Sequence, residues 1–322
     1  MGKLYAIADL HLSYKYNLEA LEALHHVHQD DGLILAGDIG ESATHLHSAF
    51  RWAKSYFHSV WWCPGNHELY TLPLSAKDRA AGGGSSPPAR GEAKYEQCIA
   101  IARQYGVITP EDEFVTWDCN DGTPLALVCP IFTLYDYSFR PPDVTREKAL
   151  AWAEEQGICA TDEVLLHPDP YATRDMWCAA LVSRFEARLE SAVREKPDLP
   201  LIIANHWPLH ESVVHLPAVP RFRLWCGTTR TGDWHTRFHA KVVVSGHLHL
   251  RRTDWVDGVR FEEVSLGYPR QWERARSLGK DINSFLREIL PGPLVVGQEG
   301  VTQWRPNGDI ICSGTRESSR NQ

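Results

Sequence analysis

The sequence contains no C-x-x-C pair, no internal repeat, no excess of basic residues and no run of the roughly 20 uncharged apolar residues that a membrane span requires. Each absence excludes a class of protein. The eight cysteines, at 63, 98, 119, 129, 159, 178, 226 and 312, are scattered, which indicates neither a zinc knuckle nor a redox motif and leaves most of them as buried free thiols. Lys and Arg number 33 against 41 Asp and Glu, a formal charge of −8, so neither a dedicated DNA-binding protein nor a long nucleic-acid ligand is expected. No membrane partner is expected either. Met1 is followed by a short strand-like run rather than an apolar leader, which makes the cytoplasm the expected compartment.

What remains is ordinary globular material. The 322 residues are 43% hydrophobic and 23% charged, enough for roughly two average domains or one large α/β domain. Two counts stand out, 16 His and 12 Trp: the first can supply metal ligands, the second an aromatic-walled pocket. The chain opens as strand, helix, strand, helix, strand. Lys3–Ala8, Leu33–Ala36 and Val60–Cys63 form apolar runs, with helical stripes between them at Leu18, Leu21, Leu24 and His28 and at Leu46, Phe50, Ala53 and Phe57. That alternation implies right-handed crossovers and a largely parallel sheet, whose loops at the strand carboxyl ends are free to carry chemistry. Farther on, 201–204 and 241–244 read as buried strands, Thr173 as the cap of a long helix, and Asp121-Gly122 and Asp257-Gly258 as hairpin connections. The Gly-, Ser- and Pro-rich stretch from Ala80 to Pro88 reads as a mobile surface loop.

The informative coincidence lies at the strand ends. Asp9-Leu10-His11 follows the first strand, Gly37-Asp38 the second, Gly65-Asn66-His67-Glu68 the third, Asn205-His206 a fourth and Gly246-His247-Leu248-His249 a fifth. Asp-x-His alone arises about once by chance in a chain this rich in His, whereas Gly-His-x-His is expected roughly 0.06 times and Gly-Asn-His-Glu on the order of 0.002 times.

This ordered set resembles the calcineurin-like metallophosphoesterase superfamily, whose pattern is D-x-H, G-D, G-N-H-(E/D), H and G-H-x-H. The resemblance implies an α/β fold, a four-layer sandwich of two mixed β-sheets flanked by helices. It also implies a single domain over 1–322, with the mobile loop at 76–92 and a substrate-proximal insertion at 131–180. The metal ligands it implies are Asp9, His11 and His249 for one ion and Asn66, His206 and His247 for the other, with Asp38 as the bridge. A carboxylate has two oxygens to share, and Gly37 lets the chain turn sharply beside it. Two divalent cations about 3.5–4 Å apart polarise phosphoryl oxygens, lower the pKa of a bridging water and stabilise in-line displacement. Imidazole and carboxylate without thiolate favour Mn, Fe or Zn.

Carried over from the family, His67 lies outside the ligand set, hydrogen-bonds the scissile phosphate and protonates the leaving oxygen. Asn66 joins it as a catalytic residue, its Oδ1 ligating while its NH₂ donates to phosphate. Glu68 and His210 are read as neighbours of the site. The histidines at 25, 26, 28, 45 and 47 fall on predicted helices and are left out. For substrate binding, Arg221, Arg251 and Arg270 offer guanidinium forks suited to phosphate, and Trp225, His210 and Tyr268 complete the candidate set. The expected reaction is hydrolysis of a small phosphorylated substrate, a phosphomonoester or phosphodiester, by in-line attack of a bridging hydroxide. The alternatives are a scaffold protein of this fold without turnover and a nuclease of the same superfamily. The Ser/Thr phosphatase pattern G-D-x-x-D-R-G is broken here, where the sequence reads Gly37-Asp38-Ile39-Gly40-Glu41-Ser42.

Overall fold

The computed structural model describes residues 2–23, 28–73, 88–118, 122–292 and 302–308. In chain order the elements are β1 (Leu4–Ile7), α1 (Lys15–Glu22), β2 (His28–Leu35), α2 (Ala43–Tyr56), β3 (Phe57–Trp62), α3 (Asn66–Leu69), α4 (Gly91–Gln104), β4 (Val115–Asp118), β5 (Pro124–Pro130), α5 (Ala149–Glu154), α6 (Asp162–Leu165), α7 (Arg174–Glu195), β6 (Leu201–Ala204), α8 (Trp234–Arg237), β7 (Ala240–Ser245), β8 (Arg252–Val256), β9 (Val259–Glu263), α9 (Pro269–Ser277), β10 (Arg287–Leu290) and β11 (Gln303–Trp304). They form a four-stranded sheet, β10-β1-β2-β3, and a seven-stranded sheet, β11-β8-β9-β7-β6-β5-β4. Both are mixed. β1, β2 and β3 run parallel, as do β5, β6, β7 and β9, while β10, β4, β8 and β11 pair antiparallel with their neighbours.

The continuous apolar runs follow from burial on both faces. In β2 the alternation sends Leu33 and Leu35 toward the helices and Ile34 toward the facing sheet; β6 divides Leu201 and Ile203 from Ile202 and Ala204 in the same way. The layer between the sheets joins Ala6, Ile34 and Trp61 from one to Val128, Ile202 and Val242 from the other. Outside, α2 buries Leu46, Ala49, Phe50 and Ala53 and is capped by Ser42, whose side chain accepts from the His45 N–H. Thr173 caps α7 by accepting from Met176 N at 3.2 Å. The four-layer sandwich is as expected, and so is the β8–β9 hairpin at Asp257-Gly258.

Two residues assigned to helical stripes belong to strands. His28 opens β2 and Phe57 opens β3, because the two are register partners in the parallel ladder and their rings stack with centroids 4.7 Å apart. The expected loop at 76–92 falls outside the described residues as far as 87, and its last two positions, Gly91 and Glu92, start α4. His25, His26, Cys119 and Cys312 also lie outside them. Five of the six described free cysteines are buried, and Cys159 is exposed. No described helix is long and apolar enough to cross a membrane.

The layer between the sheets is apolar and buried, Ile202 completely, so truncating it leaves a void. Ile202→Ala should lower unfolding free energy by about 2–5 kcal/mol, measured by urea denaturation with chelator present in both samples.

Candidate metal centre

At their carboxyl ends the two sheets are stitched together through the end of β1. Ala8 N donates to Val264 O (3.1 Å) and Leu266 N to Ala8 O (2.8 Å); on the other side Asp9 N donates to Gly37 O (2.9 Å) and His11 N to Asp38 O (3.0 Å). The motif loops therefore meet, and they do so in an unusual backbone conformation. Asp9 (φ 56°), His11 (44°), Asp38 (54°), His247 (71°) and His249 (55°) all lie in the left-handed region, which non-glycine residues occupy at a cost of about 1–3 kcal/mol each and which clusters at functional sites. Gly37, at φ 87°, comes so close to the site that a Cβ there would sit 2.6 Å from His206 Nδ1. A Cβ on Gly65 would collide with the Asp38 carboxylate.

Three sets of ligand atoms lie within 4.8 Å of one another: Asp9, His11 and His249; His11, Asp38 and His67; Asp38, His206 and His247. His249 Nε2 is 2.9 Å from Asp9 Oδ1 and 3.1 Å from His11 Nε2. His206 Nε2 is 3.2 Å from His247 Nδ1 and 3.5 Å from Asp38 Oδ2. The outer nitrogens are tied down: His206 Nδ1 donates to Ala36 O (2.9 Å) and His249 Nδ1 to Gln271 Oε1 (2.9 Å). That orients each ring and turns Nε2 inward. Asn66 Oδ1 is buried without a hydrogen-bond partner among the described residues, because its Nδ2 donates to Tyr70 OH (2.9 Å) and Asp162 Oδ1 (3.0 Å).

Electrostatics point the same way. Burial, with His67 and His249 nearby, holds the His11 pKa well below its ordinary value; burial and His206 do the same for His247, so both rings are neutral. Burial would raise the Asp9 pKa, but His249, His206 and His11 keep it below the usual carboxylate range. Converging lone pairs, an anionic carboxylate, an orphaned amide oxygen and Asp38 shared between two clusters suit a pair of divalent cations.

His67 stands beside these groups. Its backbone N–H donates to Asp38 Oδ1 (2.9 Å), its Nδ1 is 2.7 Å from Glu41 Oε1 and its Nε2 is 3.8 Å from Asp38 Oδ2. Burial would lower its pKa, but Asp38 and the Glu41 hydrogen bond outweigh that and raise it to about 9. Glu68 serves the scaffold: its carboxylate accepts from the backbone N–H of Asp38 (3.0 Å), Ile39 (2.6 Å) and Gly65 (2.8 Å), locking two motif loops together.

A cavity of about 590 Å³ opens over the cluster, lined among others by Asp38, Asn66, His67, Tyr70, Cys159, Asp162, Phe222, Tyr268 and Arg270. Of the substrate-binding candidates, Tyr268 and Arg270 line it, Tyr268 stacking on His11 with centroids 4.5 Å apart. The other four lie elsewhere. The Arg221 guanidinium is engaged by Trp152 O and Glu155, that of Arg251 by the carbonyls of Leu266, Gln271 and Pro306, and the Trp225 indole N–H donates to Glu163. His210 bonds Ser212 and packs against His235. None of the four reaches the cavity. The Asn66 NH₂, expected to donate to phosphate, donates here to Tyr70 and Asp162. Sequence reasoning missed Glu41, Tyr70, Asp162 and Gln271. Glu41 was within reach, at the second Asp position of G-D-x-x-D; the others carry no local signal.

Comparison with known proteins agrees with this geometry. The Calcineurin-like phosphoesterase family matches residues 2–251. The chain belongs to that family. It is a metal-dependent phosphoesterase of the kind that uses a dinuclear divalent centre, and the scaffold reading falls away. It is 41% identical over 291 residues, 90% of this chain and 84% of the other, to the [acyl-carrier-protein] phosphodiesterase PptH of Mycobacterium tuberculosis (strain ATCC 25618 / H37Rv). The crystal structure of phosphopantetheinyl hydrolase (PptH) from Mycobacterium tuberculosis superposes with a TM-score of 0.80 at 40% identity, covering 92% of this chain and 99% of that one.

Because Glu68 meets three donors with two carboxylate oxygens, Glu68→Gln turns one acceptor into a donor facing N–H groups. It should cost about 2–3 kcal/mol, read as a lower melting temperature of the metal-free protein.

Proposed function

We propose that this phosphoesterase hydrolyses the phosphodiester that joins a phosphopantetheinyl group to an acyl carrier protein. The observation that carries the reading is the 41% identity across nine-tenths of the chain to a protein named for that activity. The small phosphorylated substrate expected from sequence gives way to a protein-borne one, and diester cleavage is favoured over monoester cleavage.

In this reading Asp9, His11, Asp38 and His249 would hold one cation and Asp38, Asn66, His206 and His247 the other, with Mn, Fe or Zn fitting a donor set without thiolate. Bound there, the ions supply Lewis acidity to the phosphoryl oxygens and a nucleophile at neutral pH. The chain does the rest. Glu41 engages His67 Nδ1, so Nε2 is the atom that gives its proton to the departing alcohol oxygen. Tyr70 and Asp162 hold the Asn66 amide with Oδ1 turned to the ligands. Arg270 offers a guanidinium to the diester from the cavity wall. The segment 131–180 supplies Cys159–Asp162 and Leu165 to that wall, in keeping with a substrate-proximal insertion.

His67→Ala should keep metal content near wild type while lowering kcat about 10²–10⁴-fold; Asp38→Ala should lose both. Elemental analysis beside bis(p-nitrophenyl) phosphate turnover separates the two outcomes, and full activity in the His67 variant overturns its role. Incubation with holo acyl carrier protein, followed by mass spectrometry, tests the substrate: intact holo protein after exhaustive incubation with active enzyme overturns the reading.

A further inference from the structure

The phosphorus of a carrier-protein diester bears two arms of unlike size and chemistry. A carrier protein is far larger than a cavity of about 590 Å³, so its body stays outside, and the pantetheine arm is the ester group that fits within. In that arm a quaternary carbon bearing two methyl groups stands one methylene from the ester oxygen. A surface that recognises it must be apolar and must lie beside the metal ligands.

The stretch after β6 meets both conditions. Two successive turns, closed by Val219 N donating to Leu216 O (3.1 Å) and Phe222 N to Val219 O (2.9 Å), bring every third side chain round. Leu216, Val219 and Phe222, the residues at that spacing, all line the cavity. The Phe222 ring stacks on that of His247 with centroids 5.9 Å apart and 28° between the planes, so the apolar surface starts at the ligand cluster. Val219, 41% exposed, carries it toward solvent.

This ridge is held in shape from behind and from the side. Leu216 and Phe222 pack against a small apolar cluster of Phe139, Cys226 and Leu248 that is separate from the main core. Pro217 and Pro220 fix φ within the stretch. Arg221 ties it to Trp152 O and to Glu155 (2.8 Å), and Arg223 ties it to Glu211. Arg221, expected from sequence to bind phosphate, holds the wall instead. Apolar surface left in water beside charged groups contributes nothing to phosphate chemistry, whereas a bound apolar group that covers it gains from the burial.

We infer that Leu216, Val219 and Phe222 form the subsite that selects for the pantetheine arm, with the dimethyl carbon packing on Phe222 and the chain beyond it running over Val219 and Leu216. The identity of the arm rests on the reaction proposed above.

Two small diesters with the same leaving group isolate the arm: the p-nitrophenyl ester of phosphopantetheine and methyl p-nitrophenyl phosphate. Both release p-nitrophenolate. Wild type should favour the first about tenfold or more in kcat/KM, the gain expected from burying two methyl groups. Leu216→Ser/Val219→Ser, at two positions that are not buried, should cut that preference about tenfold, chiefly through KM for the arm-bearing ester. Val219→Ile, which keeps the surface apolar, should retain it, and turnover of holo acyl carrier protein should follow the arm-bearing ester in every variant. An unchanged preference in the serine variant overturns the subsite, whether both rates hold or both fall, and so does a wild type that shows no preference. Holo protein left intact by wild-type enzyme that does show it overturns the carrier-protein reaction alone and leaves the subsite to a smaller pantetheine diester.

Discussion

The backbone hydrogen bonds on either side of Ala8 and Asp9 are the constraint on which the site depends. β1 belongs to the smaller sheet, yet at its carboxyl end it bonds residues 264–267 of the segment leaving the larger one and, on its other side, residues 37–39 after β2. Residues from 9–11, 37–38, 247–249 and 265 are thereby brought into one buried volume by main-chain geometry. Side-chain attraction could not do this, since three imidazoles and two carboxylates buried together cost desolvation before any ion repays it.

The same stitch explains why the loops are strained and why they hold. Left-handed backbone at five non-glycine positions survives only where surrounding structure over-determines it. Glu68 binds the loop after β2 to the loop after β3, and Ser265 Oγ donates to Asp9 Oδ2 at 2.6 Å from the larger sheet. The buried apolar layer between the sheets keeps these anchors from moving independently. Rigid positioning is what bimetallic chemistry requires, because a carboxylate shared by two ions tolerates little displacement.

Which parts of this were legible in the sequence follows from how local each signal is. The strand-end clusters were, because each packs its chemistry into two to four residues after an apolar run, and their order along the chain identified the family. The sandwich was legible for the same reason: Leu33–Ala36 and Leu201–Ala204 are too short and too uniformly apolar for anything but strands buried on both faces. Side chains whose role is set by distant partners were not. Arg221, Arg251 and Trp225 have the right chemistry near the right motifs, but Glu155, the Leu266 carbonyl and Glu163 claim them. Asp162 and Tyr70, separated by 92 residues, meet only once α6 packs against the loop after β3. His28 and Phe57 fit a helical stripe on spacing alone, and cross-strand pairing overrode it.

Chemistry and selection are therefore encoded in different parts of the chain. The strand-end motifs lie within residues 2–251, where the family matches, and sit where the chain cannot shift without breaking a sheet. The walls above them come from elsewhere: Cys159–Asp162 from the segment between β5 and α7, Leu216, Val219 and Phe222 from the stretch after β6, and Tyr268, Arg270 and Gln271 from beyond the family match. These segments are free to change shape because they hydrogen-bond few strands, so one catalytic cluster can serve many phosphoesters according to which walls surround it. In this chain the walls include the apolar Leu216, Val219 and Phe222 and the exposed Arg270.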